Sequence, residues 1–160
     1  MAKPVLILGN GGHAAVLMEA LEGQHRYFWA AHNHVEAQIH PGLSKSDLAL
    51  GMGRRSVRKN VAAMYSAHSW ATIIHPSAIV SKSAKIGEGA QIMAGAIIQA
   101  GATIGRHAII NTGAQVDHGC VVGDFAHICP GAVLCADVVV EEGAMVEPGQ
   151  VISRGHTVPL

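Results

Sequence analysis

The second half of the chain carries an aliphatic residue at every sixth position, from Ile74 to Val158, without an insertion. A small residue, usually alanine, stands two positions before most of these aliphatic residues. A period of six fits neither an amphipathic helix nor a strand whose residues alternate between two faces. It is typical of a hexapeptide solenoid, in which three hexads form one triangular coil of about 18 residues.

The hexads give this solenoid about 4.7 coils and a height of roughly 22 Å at the usual spacing between strands. The aliphatic residue of each hexad is expected to point inward and to stack on the residue one coil away. The small residue is expected to let the backbone turn a tight corner. Glycine should relieve the same turn, and it occupies one hexad position at 89, 95, 101, 113, 119, 131, 143, 149 and 155.

The first seventy residues lack the hexad and predict a small β-α-β-β-α unit. Apolar runs predict strands at residues 5–8, 27–31 and 48–50 and helices at residues 14–21 and 57–68. Residues 36–46 have the composition of a loop. We therefore expect a Rossmann-like α/β subdomain over residues 1–70, smaller than a full nucleotide-binding domain, and the solenoid over residues 71–160.

A glycine-rich turn joins the first predicted strand to the first predicted helix, with Gly9, Gly11 and Gly12 followed by His13. This arrangement can cradle a phosphate, because glycine allows close approach of the backbone and a helix N-terminus supplies free N–H groups. The spacing differs from the full dinucleotide-binding fingerprint, so an ordinary tight turn explains the residues equally well.

A basic cluster begins the second predicted helix, at Arg54, Arg55, Arg58 and Lys59. These side chains are positioned to meet a phosphate, although a charged run beside a helix is more often a solvated face. Both interpretations stay open at this stage.

Composition narrows the class of protein. Eleven basic and eleven acidic residues leave no net charge, which argues against nucleic acid and against an anionic membrane as partners. Cys120, Cys129 and Cys135 show neither zinc-ligand spacing nor the even number of a disulfide framework, as expected of free thiols in a reducing compartment. The N-terminal apolar run is too short for a signal peptide or a membrane span, so we expect a cytoplasmic protein.

Eleven histidines are many for 160 residues, and those at 25, 32, 34, 40, 68 and 156 are expected to be solvated. His107, His118 and His127 lie on the central coils. His118 takes a hexad position that elsewhere holds charges of both signs, and its neighbours one coil away, Ala100 and Ala136, are small. A neutral imidazole in such a hollow can act as a general base near pH 7, although a plain exposed histidine fits the same pattern.

His127 lies nine residues after His118, half a coil further on, and is therefore expected on a different face. The two side chains could meet only across the interface between two solenoids. This arrangement predicts sites shared between the subunits of a homotrimer.

Three segments of the sequence resemble one family. The segment from Asn111 to Ala132, NTGAQVDHGCVVGDFAHICPGA, is similar to the active-site coil of the left-handed β-helix sugar acyltransferases of the PglD/NeuD group. The opening VLILGNGGHA and the junction IIHPSAIV resemble the same group. The resemblance covers nearly the whole chain and implies an all-β left-handed parallel β-helix of hexapeptide repeats after the α/β subdomain, assembled as a homotrimer.

The resemblance also implies the chemistry. Acetyl-CoA would donate its acetyl group to a nucleotide-linked amino sugar, with His118 as general base, no covalent enzyme intermediate and no metal. Asn111 and His127 match positions that line the acceptor and acyl pocket, and His127 and Ala136 would contact coenzyme A. The part that meets the sugar phosphates corresponds to Gly9, Gly11, Gly12 and His13.

Three features depart from the family pattern. The family has a carboxylate after the catalytic histidine, where this chain has Gly119, and Asp117 is expected to point away from His118 in an extended segment. Relatives have acids after the second strand, where this chain has His32 and Asn33. They also continue for about another coil beyond the position that corresponds to Leu160.

Three alternatives to an acetyltransferase of a nucleotide-linked amino sugar stay open, and the sequence does not decide between transfer to nitrogen and transfer to oxygen. A sialic-acid-type sugar O-acetyltransferase has the same architecture, and the departures fit an inactive or scaffold protein. An enzyme like the γ-carbonic anhydrases would hold zinc with three histidines at a trimer interface. The separations between His107, His118 and His127, which are 11 and 9 residues, do not repeat the spacing of that family.

Overall fold

The computed structural model describes residues 3–24, 27–30 and 43–160, and the chain divides into two compact units, Met1–Ala71 and Thr72–Leu160. The histidines at 25, 32, 34 and 40 and the asparagine at 33 lie outside the described residues, as does the 36–42 part of the predicted loop. The end of that loop forms one turn of 3₁₀ helix (Leu43–Lys45). In the described part of the chain, no helix is long and apolar enough to cross a membrane.

The N-terminal unit is an α/β unit built on three parallel strands. β1 (Val5–Leu8) lies between β2 (Tyr27–Ala30) and β3 (Asp47–Leu50). α1 (Gly12–Leu21) follows β1, and α2 (Arg55–Met64) follows β3. All four residues of β1 are buried, as is usual for a central strand of a parallel sheet. The predicted order of strands and helices is confirmed.

The helix bounds differ from the prediction for local reasons. α1 begins two residues early because the extended Gly11 caps it and accepts the backbone N–H of Ala15 at 3.2 Å. α2 begins after the extended Arg54 and ends at Met64, four residues before the predicted end. The N–H of His68 bonds to the carbonyl of Tyr65 at 2.9 Å, so the chain turns where the helix was expected to continue.

The second unit is a parallel β-solenoid of about five coils, with three two-residue strands in each coil. Its strands are β4 (Ile73–Ile74), β5 (Ile79–Val80), β6 (Lys85–Ile86), β7 (Gln91–Ile92), β8 (Ile97–Ile98), β9 (Thr103–Ile104), β10 (Ile109–Ile110), β11 (Gln115–Val116), β12 (Val121–Val122), β13 (His127–Ile128), β14 (Val133–Leu134), β15 (Val139–Val140), β16 (Met145–Val146), β17 (Val151–Ile152) and β18 (Thr157–Val158).

These strands form three five-stranded sheets, ordered β16-β13-β10-β7-β4, β17-β14-β11-β8-β5 and β18-β15-β12-β9-β6. We call them the β10, β11 and β12 sheets after their central strands. Each strand pairs in parallel with the strand one coil away, so that Ile110 lies beside Ile128. The hexapeptide solenoid is confirmed, and it fits the left-handed β-helix that the resemblance implies.

The core of the solenoid contains both the aliphatic residue and the small residue of the hexad. The aliphatic residues point inward, and Ile104, Val116 and Ile128 are at most 1% exposed. The small residues share this core: Ala114 is fully buried, and its N–H closes a turn by donating to the carbonyl of Asn111 at 3.0 Å. The small residue therefore ends the turn, as predicted, and also fills the space between the large side chains.

One hexad position, which we call the corner position, has a positive φ in most hexads. The nine glycines at this position have φ between 66° and 72°. His107, Phe125 and Asp137 occupy it with φ of 55°, 58° and 62°, a conformation that costs a residue with a Cβ about 1–2 kcal/mol. The rings of His107 and Phe125 stack at 4.9 Å and His107 is buried, so we assign His107 to packing at the corner.

Candidate functional site

His118 lies in the turn between β11 and β12, and the carboxylate of Asp117 holds its ring. Asp117 Oδ1 accepts the backbone N–H of His118 at 2.7 Å and lies 2.9 Å from His118 Nδ1. The expectation that Asp117 points away from His118 is wrong. It assumed an extended segment, whereas the chain turns here and the N–H of Cys120 approaches the carbonyl of Asp117.

The carboxylate determines how the ring is protonated. An ionised carboxylate can only accept, so His118 Nδ1 carries a proton and donates it, and the lone pair of the neutral ring is then on Nε2. The backbone and ring N–H groups of His118 hold the pKa of Asp117 below its usual value, and the charge of Arg154 acts in the same direction. The His118 side chain is 59% exposed. An oriented imidazole with an accessible lone pair has the geometry of a general base.

His118 is stacked between Ala100 and Ala136 along one edge of the solenoid. The N–H of Gly119 donates to the carbonyl of Ala100 at 3.2 Å, and the N–H of Asp137 donates to the carbonyl of His118 at 3.1 Å. Ala136 is buried and Ala100 is exposed. Both side chains end at Cβ, so neither extends across the imidazole of His118.

An open groove of about 270 Å³ crosses the β11 sheet and reaches Asp117. Its lining residues include aliphatic residues, two glutamines, one aspartate and one cysteine, and the side chains of Val116 and Leu134 among them point into the core. The lining residues are Ile97, Gln99, Gln115, Val116, Asp117, Val133, Leu134 and Cys135. Mixed surfaces of this kind suit a ligand that has both apolar and hydrogen-bonding parts. The carboxylate that orients His118 therefore also borders a cleft large enough for part of a substrate.

The space beside Gly119, the residue after His118, is occupied by Asp137 from the next coil. A Cβ on Gly119 would lie 2.5 Å from Asp137 Oδ1. Asp137 Oδ2 accepts hydrogen bonds from Arg154 Nε at 3.1 Å and Nη2 at 2.9 Å. The carboxylate that the family pattern places after the histidine thus has no room at position 119, and Asp117 contacts the ring from the other side.

Asn111 and His127 form a second pair. Asn111 follows β10, and His127 opens β13, the neighbouring strand of the β10 sheet. Asn111 Nδ2 lies 3.0 Å from His127 Nε2, and Asn111 Oδ1 accepts the N–H of Thr112 at 2.8 Å. This pair lies on a different face from His118, as the nine-residue separation predicts.

In the N-terminal unit, the glycine turn packs against the segment that follows β3. Gly9 has φ of 121°, and a Cβ there would lie 2.9 Å from the carbonyl oxygen of Gly51. Gly51 in turn donates its N–H to the carbonyl of Leu8 at 2.8 Å. Only glycine at both positions allows the two backbone segments to approach this closely.

Both helices of this unit begin at the same edge of its sheet, because α1 and α2 follow the adjacent parallel strands β1 and β3. The cap residues Gly11 and Arg54 make no side-chain hydrogen bond to the first turns. Gly11 and Gly12 are exposed, and His13 is half-buried. The N-termini of two helices therefore lie at the edge where the sequence predicts a phosphate cradle.

The basic cluster is only partly a solvated face. Arg54, Arg55 and Lys59 are exposed, whereas Arg58 is fully buried in α2. Burial lowers the pKa of Arg58 to about 10, and the charge of Arg55 adds to this effect. A solvated face is therefore the wrong interpretation for Arg58, while the three exposed cations stay candidates for phosphate contact.

The remaining candidate ligands are dispersed. Within residues 3–24, 27–30 and 43–160, no three histidine, cysteine or acidic side chains gather closely enough to hold a metal ion. Cys120, Cys129 and Cys135 are free thiols, and burial raises the pKa of Cys120 and of Cys129.

Sequence reasoning missed Asp117 and the groove. A signal for Asp117 was present, because Asp and Asn side chains often accept a nearby backbone N–H and so favour turns. Asn111 and Asp117 occupy the same hexad position and both accept the N–H of the next residue. The groove gave no such signal, since its lining comes from strands of three successive coils.

The sequence and the fold were compared with known proteins. Residues 83–118 match the bacterial transferase hexapeptide family. No curated protein matches the chain at a significant level.

Among solved structures, the acetyltransferase domain of PglB from Neisseria gonorrhoeae, in complex with acetyl coenzyme A, is 27% identical, with a TM-score of 0.88 over 99% of this chain and 86% of that one. PerB from Caulobacter crescentus, in complex with CoA and GDP-perosamine, is 29% identical, with a TM-score of 0.65 over 96% and 92%.

A variant of GDP-perosamine N-acetyltransferase from Caulobacter crescentus, with one histidine replaced by alanine, is 26% identical, with a TM-score of 0.69 over 100% and 94%. It also contains CoA and GDP-perosamine. Together these comparisons confirm the resemblance to the hexapeptide-repeat sugar acetyltransferases.

Proposed function

We propose that this chain is an acetyl-CoA-dependent N-acetyltransferase that acts on a nucleotide-linked amino sugar. The observation that carries the proposal is the Asp117–His118 pair, an exposed imidazole with a bare Nε2 beside a groove. The bound ligands of similar structures support both substrates, acetyl coenzyme A in the PglB domain and GDP-perosamine in PerB.

The chemistry requires one proton acceptor. The amine nitrogen of the sugar attacks the carbonyl carbon of the thioester, and a C–N bond forms. His118 Nε2 takes the proton that the amine loses, and the resulting imidazolium is stabilised by the Asp117 carboxylate. The C–S bond then breaks, and coenzyme A leaves as a thiolate that takes up a proton. A general base contributes about 10²- to 10⁴-fold, and the positioning of two substrates must supply much of the rest.

We assign the donor to the groove on the β11 sheet. Its aliphatic lining suits the apolar part of a pantetheine arm, and Gln99 and Gln115 can pair with the amides of that arm. Asp117 at the groove edge brings the thioester end next to His118. The proposed contacts of Ala136 and His127 with coenzyme A rest on the resemblance.

We also propose that the chain works as a homotrimer. Ile79 and Val151 lie at the two ends of the outer face of the β11 sheet and are 64% and 62% exposed. Burying large aliphatic side chains against a second solenoid is favourable. Such an interface would enclose the groove and exclude water from the reacting groups.

The nucleotide phosphates are assigned to the N-terminal unit. The positive ends of the helix dipoles at the starts of α1 and α2 favour anions, and the exposed Gly11 and Gly12 allow close approach. His13 follows directly, and Gly9 shapes the turn through its contact with Gly51. The exposed Arg54 and Arg55 add positive charge at the start of α2.

Two alternatives receive less support. An inactive scaffold has no need of an oriented imidazole, and the Asp117–His118 contact supplies the carboxylate that position 119 lacks. Transfer to oxygen would use the same base, but the similar enzyme named for its reaction is an N-acetyltransferase.

Calorimetric titration of the purified chain with acetyl-CoA tests the proposal. We expect micromolar binding, about −8 kcal/mol, followed by release of free thiol when an amino-sugar nucleotide is added. A nucleotide-linked sugar without an amine is the matched control and should bind without releasing thiol. Absence of acetyl-CoA binding at millimolar concentration would overturn the proposal.

A further inference from the structure

The turn that carries His118 is contacted by a second carboxylate, from Asp137 on the next coil. The N–H of Asp137 donates to the carbonyl of His118 at 3.1 Å, and its Oδ1 lies close enough to Gly119 to exclude a Cβ there. Asp137 Oδ2 accepts two hydrogen bonds from Arg154, from Nε at 3.1 Å and from Nη2 at 2.9 Å. The two carboxylates are therefore held differently, because Asp117 contacts the ring and Asp137 contacts a guanidinium.

Stability does not explain why Asp137 stands at this corner. It has φ of 62° at a position where glycine is usual. Its ion pair with Arg154 is exposed, and such pairs contribute little to stability. In the described part of the chain, the other two non-glycine residues with positive φ, His107 and Phe125, stack their rings on each other. A residue held in an unfavourable backbone conformation without such packing is a candidate for a functional role.

Titratable side chains surround His118 on its own turn and on the turns stacked one and two coils away. The turn one coil before it, residues 99–102, has none. The others are Asp117 and Cys120 on the same turn, Cys135 and Asp137 one coil after it, Arg154 and His156 two coils after it, and Lys82 two coils before it. Of the charged groups, Asp117 and Asp137 bond to His118 itself, and Arg154 bonds to Asp137.

The charge of these groups affects the protonation of the ring. A carboxylate without a counter-ion beside an imidazole favours the protonated form, and a protonated ring cannot accept a proton from an amine. The guanidinium of Arg154 opposes the charge of Asp137 at 2.9 Å. The pKa of Asp117 is lowered chiefly by the N–H groups of His118, and the charge of Arg154 adds to this effect. The charge of Arg154 therefore acts on both carboxylates.

We infer that Arg154 is a positioning residue for the base. It holds the Asp137 carboxylate beside Gly119 and neutralises its charge, so that Asp117 stabilises the protonated ring of His118 without a contribution from Asp137. The role of His118 as base rests on the proposed function. The balance of charge around its ring rests only on the contacts of Asp117, Asp137 and Arg154.

Titration of the His118 ring protons by NMR, in the full-length chain at low ionic strength, tests the inference without turnover. We expect the midpoint in Arg154→Gln to lie about 0.3–0.5 pH unit above that of the wild type, the effect of one unpaired charge several ångströms away in water. Arg154→Lys keeps the charge and should restore most of the wild-type midpoint. At about 1 M salt, where the Debye length is about 3 Å, the difference should disappear.

A double variant identifies the source of the shift. Arg154→Gln combined with Asp137→Asn removes both charges, and asparagine tolerates a positive φ, so the midpoint should return close to that of the wild type. A shift that persisted would mean that Arg154 acts on the ring without Asp137, and it would overturn the inference. An unchanged midpoint in Arg154→Gln would overturn it too, as would an Arg154→Lys variant that behaves like Arg154→Gln.

Arg106→Gln is the matched control. It breaks another exposed ion pair, with Glu88 at 3.2 Å, in the turn between β9 and β10. The His118 midpoint should not move in this variant. An equal shift there would show that any lost surface cation has the same effect, and it would contradict the specific role of Arg154.

Activity supplies a second, separate measurement. In Arg154→Gln the acid limb of kcat/KM should move to higher pH by the same amount as the NMR midpoint, and the plateau at higher pH should be retained. A lowered plateau with an unmoved limb would make Arg154 a structural or substrate-binding residue and contradict the inference. If the wild type turns over no nucleotide sugar, the proposed function fails, while the NMR titration still decides the charge balance.

Discussion

Two histidines of the solenoid are held by side chains from the same hexad position, and the holders differ by one functional group. Asp117 presents a carboxylate to His118 Nδ1 at 2.9 Å, whereas Asn111 presents an amide to His127 Nε2 at 3.0 Å. The carboxylate engages the N–H of its ring and leaves the lone pair accessible. The amide instead contacts Nε2 of its ring.

This comparison explains how one repeat supplies two kinds of chemistry. The two turns share one local hydrogen bond, since both Oδ1 atoms accept the N–H of the following residue. The two holding side chains differ in their second terminal atom, which is an oxygen in Asp117 and a nitrogen in Asn111. This atom distinguishes the carboxylate beside His118 from the amide beside His127. In the proposed mechanism His118 takes the proton, and its carboxylate partner suits that role better than the amide beside His127 would.

The largest effect should come from removing the accessible lone pair. We expect His118→Ala to lower kcat by about 10²- to 10⁴-fold, because it deletes the base, and to leave the affinity for acetyl-CoA unchanged. Steady-state kinetics and calorimetry measure the two quantities. His156→Ala, which removes another exposed solenoid histidine on the last coil, is the matched control and should retain activity.

A His118→Ala variant with the wild-type kcat would show that His118 is not the base and that the difference between the two pairs has no part in catalysis. A variant that also lost acetyl-CoA binding would show that His118 contributes to binding the donor and not only to proton transfer.

The next largest effect concerns the space beside Gly119, where the family pattern has a carboxylate and this chain has none. Gly119→Ala would place a Cβ 2.5 Å from Asp137 Oδ1 at a residue with φ of 71°. We expect it to destabilise the fold by about 1–2 kcal/mol from the backbone conformation alone, with the collision adding to this. Chemical denaturation monitored by circular dichroism measures the change.

A double-mutant cycle isolates the collision. Asp137→Gly opens the space, relieves the positive φ of Asp137 and removes an ion pair to Arg154 whose side chains are 49% and 74% exposed, so by itself it should leave the fold at least as stable. Gly119→Ala should then cost less in the Asp137→Gly background than in the wild type. Equal costs would show that Asp137 does not occupy the space beside His118.

The architecture of the solenoid could be predicted from the sequence because the six-residue period is present in every coil. An aliphatic residue at each sixth position leaves one arrangement that stacks Ile110 on Ile128, and the observed register has this pairing. The corner position was predicted from its glycines, and all nine of them have positive φ. The residues 107, 125 and 137 share that φ without being glycine, which the pattern could not anticipate.

The site was less predictable because it depends on the side-chain geometry of single turns. The position of His118 followed from the hexads and from the resemblance, but the direction of Asp117 required knowing that residues 117–120 turn. The burial of Arg58 was equally hidden, since a run of four cations gives no sign that one of them points inward. Regular periods determine where the chain lies, and local hydrogen bonds determine what its polar groups contact.

The smallest effect tests the Asp117 carboxylate itself. Asp117→Asn keeps an oxygen for the backbone N–H of His118 and removes only the negative charge, so we expect kcat to fall by about two- to fivefold, as for an exposed charge pair. Glu88→Gln is the matched control, because Glu88 is an exposed carboxylate that pairs with Arg106 away from His118. A loss as large as that of His118→Ala would mean that the amide turns the ring out of position.

The pH dependence sharpens this last test. The pKa of Asp117 is lowered chiefly by the N–H groups of His118, so its contribution to stability is fully present above the usual carboxyl pKa of about 4 and is lost as the pH falls through the lowered value. The stability difference between wild type and Asp117→Asn should therefore be constant from neutral pH to about pH 5 and vanish only in stronger acid. A difference that had already disappeared at pH 5 would show that it does not follow the charge of the Asp117 carboxylate.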